Sequence, residues 1–319
     1  MAKRRFILSG LALAGLAVLG GGIWARMRGA DARAGLKRAE TLYRTPLAAP
    51  DGPMRVFHLG HSLVGQDMPA MLAQLAGAGH GYESQLGWGT PLMDHWEPDQ
   101  EINGFETSND HPRFRDARTA IGSGDYDAVV LTEMVEITDA IAYFDSATYL
   151  ARWAALAAAG RPDTRLYLYE TWHHTDDPKG WLDRIDADFQ AQWLTRILYP
   201  ALGVDGPPIY LIPAGQVMAA FIRAVEDAEG VDGITTAQDL FGTAEDGTPD
   251  TIHFNDRGAY LVALTHYAVL YHRSPEGLPH ALNRADGTAA DAPGPAAAAL
   301  MQRVVWDVVT ALPQTGVAA

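Results

Sequence analysis

A chain of 319 residues, 48% hydrophobic and 20% charged, has the make-up of a globular protein and can bury a core without disulfide or metal staples. It contains no cysteine, which excludes disulfides, zinc fingers, iron–sulfur ligation, thiol catalysis and acylation at cysteine. The formal net charge of −15, from 24 Lys and Arg against 39 Asp and Glu, repels phosphate backbones, and no basic patch argues for nucleic acid as a partner.

Lys3, Arg4 and Arg5 precede an uncharged run from Phe6 to Trp24, followed by Arg26, Arg28 and the small-x-small triplet Ala30-Asp31-Ala32. That order predicts a signal peptide over residues 1–32. The run is rich in Gly and Ala and only weakly hydrophobic, and with the arginines before it points to twin-arginine export. The expected location is therefore periplasmic or extracellular. An uncleaved N-terminal anchor is the alternative, because the run approaches the ~20 residues a membrane helix needs. Residues 1–32 carry five positive charges and one negative, so the part beyond them has a charge of −19 and no electrostatic hold on an anionic membrane.

Residues 33–53 read as a linker and 54–319 as one domain without internal repeats. Short β-type runs at 55–59, 128–131, 165–169 and 209–212 alternate with helical patterns at 69–75, 149–159, 181–198, 216–229 and 256–272, the last with Asn255 as N-cap. Continuous apolar strands between helices predict a three-layer α/β/α sandwich, with a parallel sheet of about five strands covered on both faces. The segment from about Glu97 to Gly124 is polar and poorly periodic, the usual character of a lid or a substrate-binding insertion. An Ala/Pro/Gly-rich stretch after Ser274 leads to a last helical pattern at 297–309.

In an open parallel sheet, ligands bind beyond the carboxyl ends of the strands. Gly60-His61-Ser62-Leu63 ends the first strand just before a helix, so Ser62 is placed to offer a hydroxyl nucleophile and a backbone N–H for an oxyanion. A serine needs a base, and the base needs a carboxylate to set its tautomer. His253, with Asp250 three residues before it in the loop ahead of the final helix, supplies both.

Together these residues resemble the SGNH (GDSL-like) hydrolases, over about Arg55 to Tyr271. Gly60-His61-Ser62-Leu63 resembles the family's first block, with His61 where Asp or Asn is usual. Gly89-Thr90-Pro91-Leu92 with His95-Trp96 resembles the second, whose glycine N–H donates to the oxyanion. Asp250-x-x-His253 with Asn255 and Gly258 resembles the last. The third block carries Leu131-Thr132-Glu133-Met134 and no Asn. The resemblance implies a serine esterase with Ser62, His253 and Asp250 as its triad and no cofactor or metal. Its oxyanion hole would be built from the Ser62 and Gly89 amides. It would remove an acyl group, acetyl foremost, from a carbohydrate or another small ester. An envelope polysaccharide O-acyltransferase and a non-catalytic carbohydrate-binding protein on the same scaffold are the alternatives.

Thr132 and Glu133 are the candidates for the missing donor. Neighbours on a strand face opposite ways, so only one can reach the oxyanion. An ionised Glu133 would repel it, and Glu133 is expected to hold the loop. His61 is expected to organise its turn by hydrogen bonding, and with Trp88, His95, Glu170 and Trp172 it completes the candidate substrate-binding set. Trp88, Trp96 and Trp172 are candidates for a sugar-stacking wall. Glu170 to Asp177, with adjacent His173 and His174, lacks the spacing of a helical zinc site and reads as a solvated loop.

Overall fold

The computed structural model describes residues 32–203, 205–244 and 246–318. Of the segment 1–32 read as a signal peptide, residues 1–31 lie outside this range. Among the described residues no helix is long and apolar enough to cross a membrane.

The chain starts with helix α1 (residues 32–42) and then alternates. Strand β1 (Arg55–His61) leads to α2 (Asp67–Ala76) and β2 (Gly81–Gly87). Three short helices follow, α3 (Leu92–Trp96), α4 (Phe105–Asn109) and α5 (Ala117–Gly122), before β3 (Ala128–Thr132). Next come α6 (Ile137–Tyr143), α7 (Ser146–Gly160) and β4 (Arg165–Glu170). Helix α8 (Trp181–Asp188) runs through π-helical turns (Phe189–Leu198) into α9 (Tyr199–Leu202), then β5 (Tyr210–Pro213) and α10 (Ala214–Asp227). A hairpin of β6 (Phe241–Thr243) and β7 (Pro249–Phe254) precedes α11 (Asp256–Tyr271) and α12 (Pro295–Ala311).

The five strands β2-β1-β3-β4-β5 form one all-parallel sheet between two helical layers, the expected three-layer sandwich. Strand period decides which core each residue enters. Val56, Val130, Tyr167, Tyr169 and Ile212 face a core closed by α2, α10, α11 and α12. Phe57, Leu59, Val129, Leu131, Leu168 and Leu211 face a second core under α5, α6, α7 and the 189–202 turns. Helix α11 is buried nearly all round, as the middle helix of its layer must be.

Strand β2 carries no apolar run, and the periodicity missed it. Its central residues Glu83, Ser84 and Gln85 are polar yet buried, because each has partners: Glu83 pairs with Arg55 and Arg115, and Ser84 exchanges backbone bonds with Arg113 and Arg115. Strand β1 supplies Arg55, and the segment 97–124 supplies Arg113 and Arg115. It covers the sheet's open edge, where the Asn109 amide meets both backbone groups of Leu86 at 3.0 and 2.8 Å. The segment read as a linker corrects in the same direction. Helix α1 docks on the domain through buried Ala39, Arg38 donates to the Leu202 carbonyl at 2.6 Å, and the Tyr43 hydroxyl donates to Ile209 at 2.6 Å.

Candidate active site

β1 has β2 on one side and β3 on the other, although the chain visits β2 between them. The connections from β1 and β3 therefore leave the sheet in opposite directions, which makes the carboxyl ends of these two strands the switch point where such sheets bind ligands. Ser62 stands at that switch point, one residue beyond β1. Asp250 and His253 come to it from β7, a strand rather than the expected loop.

The three side chains form one hydrogen-bonded chain. His253 Nδ1 lies 2.9 Å from Asp250 Oδ2, and His253 Nε2 lies 3.0 Å from Ser62 Oγ. With the carboxylate as acceptor, Nδ1–H donates to Asp250 and the Nε2 lone pair is left to take the Ser62 proton. The other Asp250 oxygen accepts from the Ile252 and His253 amides, both at 2.9 Å. One carboxylate thus closes the turn and holds the imidazole. Burial would raise the Asp250 carboxyl, but those two amides and the imidazole hold it below its ordinary value.

The base strand is strapped from outside. The Trp172 indole donates to the Ile252 carbonyl at 2.9 Å, the Thr175 amide to the Thr251 carbonyl at 2.8 Å, and Gln238 to the Asp250 carbonyl at 2.9 Å. Asn255 accepts from the Arg257 and Gly258 amides as the α11 N-cap and donates to the Asp239 and Phe241 carbonyls, tying hairpin to helix.

The nucleophile turn is fastened from inside. The Ala117 amide donates to Gln85 Oε1 at 2.8 Å, so Gln85 Nε2 donates to His95 Nδ1 at 3.0 Å, and His95 Nε2–H donates to the Gly60 carbonyl at 2.8 Å. His61 Nδ1 accepts from the Leu63 amide, so its Nε2–H donates to the Glu133 carbonyl at 2.8 Å. The Tyr169 hydroxyl donates to the Leu63 carbonyl at 2.9 Å. Burial lowers both imidazoles to about 4, which keeps them neutral near pH 7 and preserves these tautomers. Gly60 is required because a Cβ there would sit 2.2 Å from the Thr132 methyl.

Five sequence-based expectations change here. The Thr132 hydroxyl donates to the Tyr169 carbonyl at 2.9 Å, so its one proton is committed and cannot serve an oxyanion. Ser62 is not at a helix start: a turn closed by Val64 N–H on the His61 carbonyl separates it from α2, which begins at Asp67. His61 and His95 are buried fasteners and do not line a substrate surface. Glu170 is fully buried and caps α10, accepting from the Gly215 and Gln216 amides at 2.8 and 3.2 Å. Its burial outweighs those amides and raises its carboxyl to about 8. Trp172 is buried against Phe241 and Phe254, and the Trp96 ring packs edge-on against Trp153 at 4.8 Å under the Arg118 guanidinium. No three-tryptophan wall forms, and Trp88 alone of the three is exposed, at 57%.

Glu133 holds its loop as expected. It is fully buried, and Oε1 accepts from the Met134 amide at 2.8 Å and the Leu92 amide at 3.2 Å. Burial raises its carboxyl to about 7, against the pull of the Met134 amide, Ser146 and the Leu92 amide. Gly89 follows β2 with φ of 55°, in the left-handed region that favours glycine, and the register pair His61–Gly87 puts it at the same sheet end as Ser62.

The segment after β4 is packed at Thr171, Trp172 and His173 and solvated, as expected, at His174 and Asp176. Donor atoms of Glu136, His173 and Asp188 lie within 4.8 Å of one another, a spacing a metal ion accepts. Arg184 supplies the positive charge there, bonding Glu136 at 2.7 Å, Asp177 at 2.6 Å and Asp188 at 3.0 Å. This network anchors the stretch that straps β7.

Gln85, Tyr169 and Gln238 escaped the sequence reading. Each acts through a backbone carbonyl or an imidazole on another element, 10, 106 and 12 residues away respectively, and no local pattern marks such a role.

The fold and site together define a parallel-sheet α/β/α protein with a Ser–His–Asp chain at its switch point. Comparison with family models, with curated proteins and with solved structures finds no match to this chain.

Proposed function

We propose that this chain is an exported serine esterase of the SGNH-like kind, removing an acyl group, acetyl foremost, from a carbohydrate or other small ester. One observation carries the reading: Ser62, His253 and Asp250 lie in hydrogen-bond contact at 3.0 and 2.9 Å, although 191 residues separate Ser62 from His253. Chance rarely gives a serine hydroxyl an imidazole whose far nitrogen is held by a carboxylate.

In the proposed reaction Ser62 Oγ attacks the ester carbonyl while His253 Nε2 takes its proton. Asp250 stabilises the imidazolium, and the Ser62 and Gly89 amides face the developing oxyanion. The imidazolium returns the proton to the leaving alcohol, and water then repeats the sequence to release the acid. His253 is half exposed, which admits water to the acyl-enzyme and favours hydrolysis over transfer to a second alcohol. With Thr132 committed elsewhere, the hole lacks a side-chain donor. Loss of one such donor typically costs about 10²–10³ in kcat, so turnover of unactivated esters is expected to be slow. Export follows from the basic start and weakly apolar run, and replacing Arg4 and Arg5 by Lys is expected to block it on the twin-arginine route.

Fluorophosphonate labelling with peptide mapping tests the reading. Label is expected on Ser62, and Ser62→Ala should abolish both labelling and p-nitrophenyl acetate hydrolysis while melting cooperatively. Labelling on another serine sinks the triad. Turnover that requires an added sugar acceptor identifies a transferase instead.

A further inference from the structure

We infer that Trp88 and the groove beside it form the subsite for the alcohol part of the substrate, a neutral, hydroxyl-rich ring such as a pyranose. The inference rests on the esterase reading for its catalytic role and on separate observations for its location.

Three observations support it. The first is position. Ser62 and Trp88 each follow by one residue the register pair His61–Gly87, so they leave adjacent strands at the same end of the sheet. Neighbouring strands lie about 4.8 Å apart, which puts the tryptophan backbone beside the nucleophile turn.

The second is the way the ring is presented. Trp88 is 57% exposed, one of three large hydrophobic side chains exposed among the described residues. It is nevertheless held: its amide donates to the Asn103 carbonyl at 2.7 Å, and its indole packs closely against Gly104. A Cβ at 104 would come within 2.2 Å of two indole atoms, and φ there is 65°. A glycine is needed beside the ring, so main chain backs the indole while 57% of the residue stays open to solvent. An indole held in that way offers a broad apolar face that matches the C–H face of a sugar ring.

The third is the groove, of about 560 Å³, which Gly104 also lines. Its wall carries Gln100, Glu101, Glu106 and Thr107, with Ile102 and Phe105 as its apolar part. The volume falls in the range of small-molecule sites. The side chains offer amide, hydroxyl and carboxylate groups to ligand hydroxyls. No Lys or Arg lines the groove, and two carboxylates do, so a uronate or phosphate would be repelled. The insertion that covers the β2 edge thereby also frames the subsite.

Two measurements test this. The first is the ratio of kcat/KM for glucose pentaacetate to that for vinyl acetate, whose alcohol part has no ring. Trp88→Ala is expected to lower the ratio at least tenfold, mainly through KM for the sugar ester. Tyr143→Ala, an exposed side chain outside the groove, should leave the ratio as in the wild type. The second is tryptophan-fluorescence titration of Ser62→Ala with cellotetraose and with tetragalacturonate. Quenching at millimolar cellotetraose, absent with tetragalacturonate and lost in Ser62→Ala/Trp88→Ala, supports the subsite. An unchanged selectivity ratio, equal cellotetraose binding with and without Trp88, or no binding at millimolar concentration overturns it. If the wild type hydrolyses neither ester and Ser62 takes no label, the esterase reading fails, and the titration still judges the subsite alone.

Discussion

Ser62 stands on a turn whose neighbours are buried and neutral, held by His61, His95 and Tyr169 from the sheet and its loops. His253 and Asp250 stand on a short hairpin strand, 49% and 24% exposed, held through backbone carbonyls by Trp172, Thr175 and Gln238. The nucleophile side draws its geometry from the core, so what disturbs it also disturbs folding. The base side draws its geometry from a strap, and can be loosened while the sheet stays intact. A wet base beside a fixed nucleophile suits an enzyme in which water must reach the acyl intermediate.

The largest effect is expected on the base side. Asp250→Asn keeps an acceptor for the Ile252 and His253 amides but favours the wrong imidazole tautomer, so kcat should fall by up to about four orders with the fold intact. His253→Ala should do comparable damage, and the double variant should lose little more. Circular dichroism alongside an ester assay checks both. Near-full activity in either would reduce the Asp250–His253 pair to a turn.

Acid should strike the nucleophile side and the core around it. Burial holds His61, His80, His95, His266 and His272 at about 4, below the ordinary 6.5, and His58 well below it. Between pH 6.5 and 4 the unfolded chain binds protons that the folded chain does not, so stability is present above 6.5 and is lost as pH falls. Each fully buried imidazole contributes up to roughly 1.4 kcal/mol per pH unit. Glu133 and Glu170, raised by burial to about 7 and 8, oppose this slope, because they favour the folded state when protonated. The histidines outnumber them, and Tm should drop from pH 6.5 to 4.5. A Tm that holds or rises over that interval would contradict the buried-neutral description.

Trp172→Phe removes the bond to the Ile252 carbonyl, worth about 0.5–1.5 kcal/mol net. If the strap positions the base, kcat should fall up to roughly tenfold, with KM and the Tm transition less affected. A change in Tm alone would make Trp172 a packing residue.

The smallest effect is expected at Glu133. Gln keeps an oxygen for the Leu92 and Met134 amides, so kcat in Glu133→Gln should stay within about tenfold, well short of the 10²–10³ of a lost oxyanion donor. The variant also removes a group that costs stability as pH rises from 4.5 through 7 and so opposes the histidines, and its Tm should therefore climb more steeply with pH there than that of the wild type. A loss beyond a hundredfold at every pH would give Glu133 a catalytic role.

Much of this was legible in one dimension. The apolar strands at 128–131 and 209–212, the amphipathic helices and the Asn255 cap follow from local period and local hydrogen bonding, which a sequence displays directly. So does the Asp250–His253 pair, whose spacing lets one turn bring both groups together. Strand β2 was not legible, since Glu83, Ser84 and Gln85 look solvated until Arg55, Arg115, His95 and Ala117 are placed against them.

Residue type alone could not assign the remaining roles, because a polar group's task depends on partners remote in the chain. Thr132 lost its candidacy to a carbonyl on β4, and Glu170 to the N-terminus of α10. His61 and His95 became fasteners because burial left them neutral and within reach of two carbonyls. Of three tryptophans equal in sequence, packing buried Trp172, set Trp96 against Trp153, and left Trp88 in solvent beside the nucleophile turn. Period and short-range spacing therefore determined the elements and the pair on one turn. Burial and long-range hydrogen bonding, which exist only once the sheet is assembled, decided which polar groups hold the site and which remain free to meet a substrate.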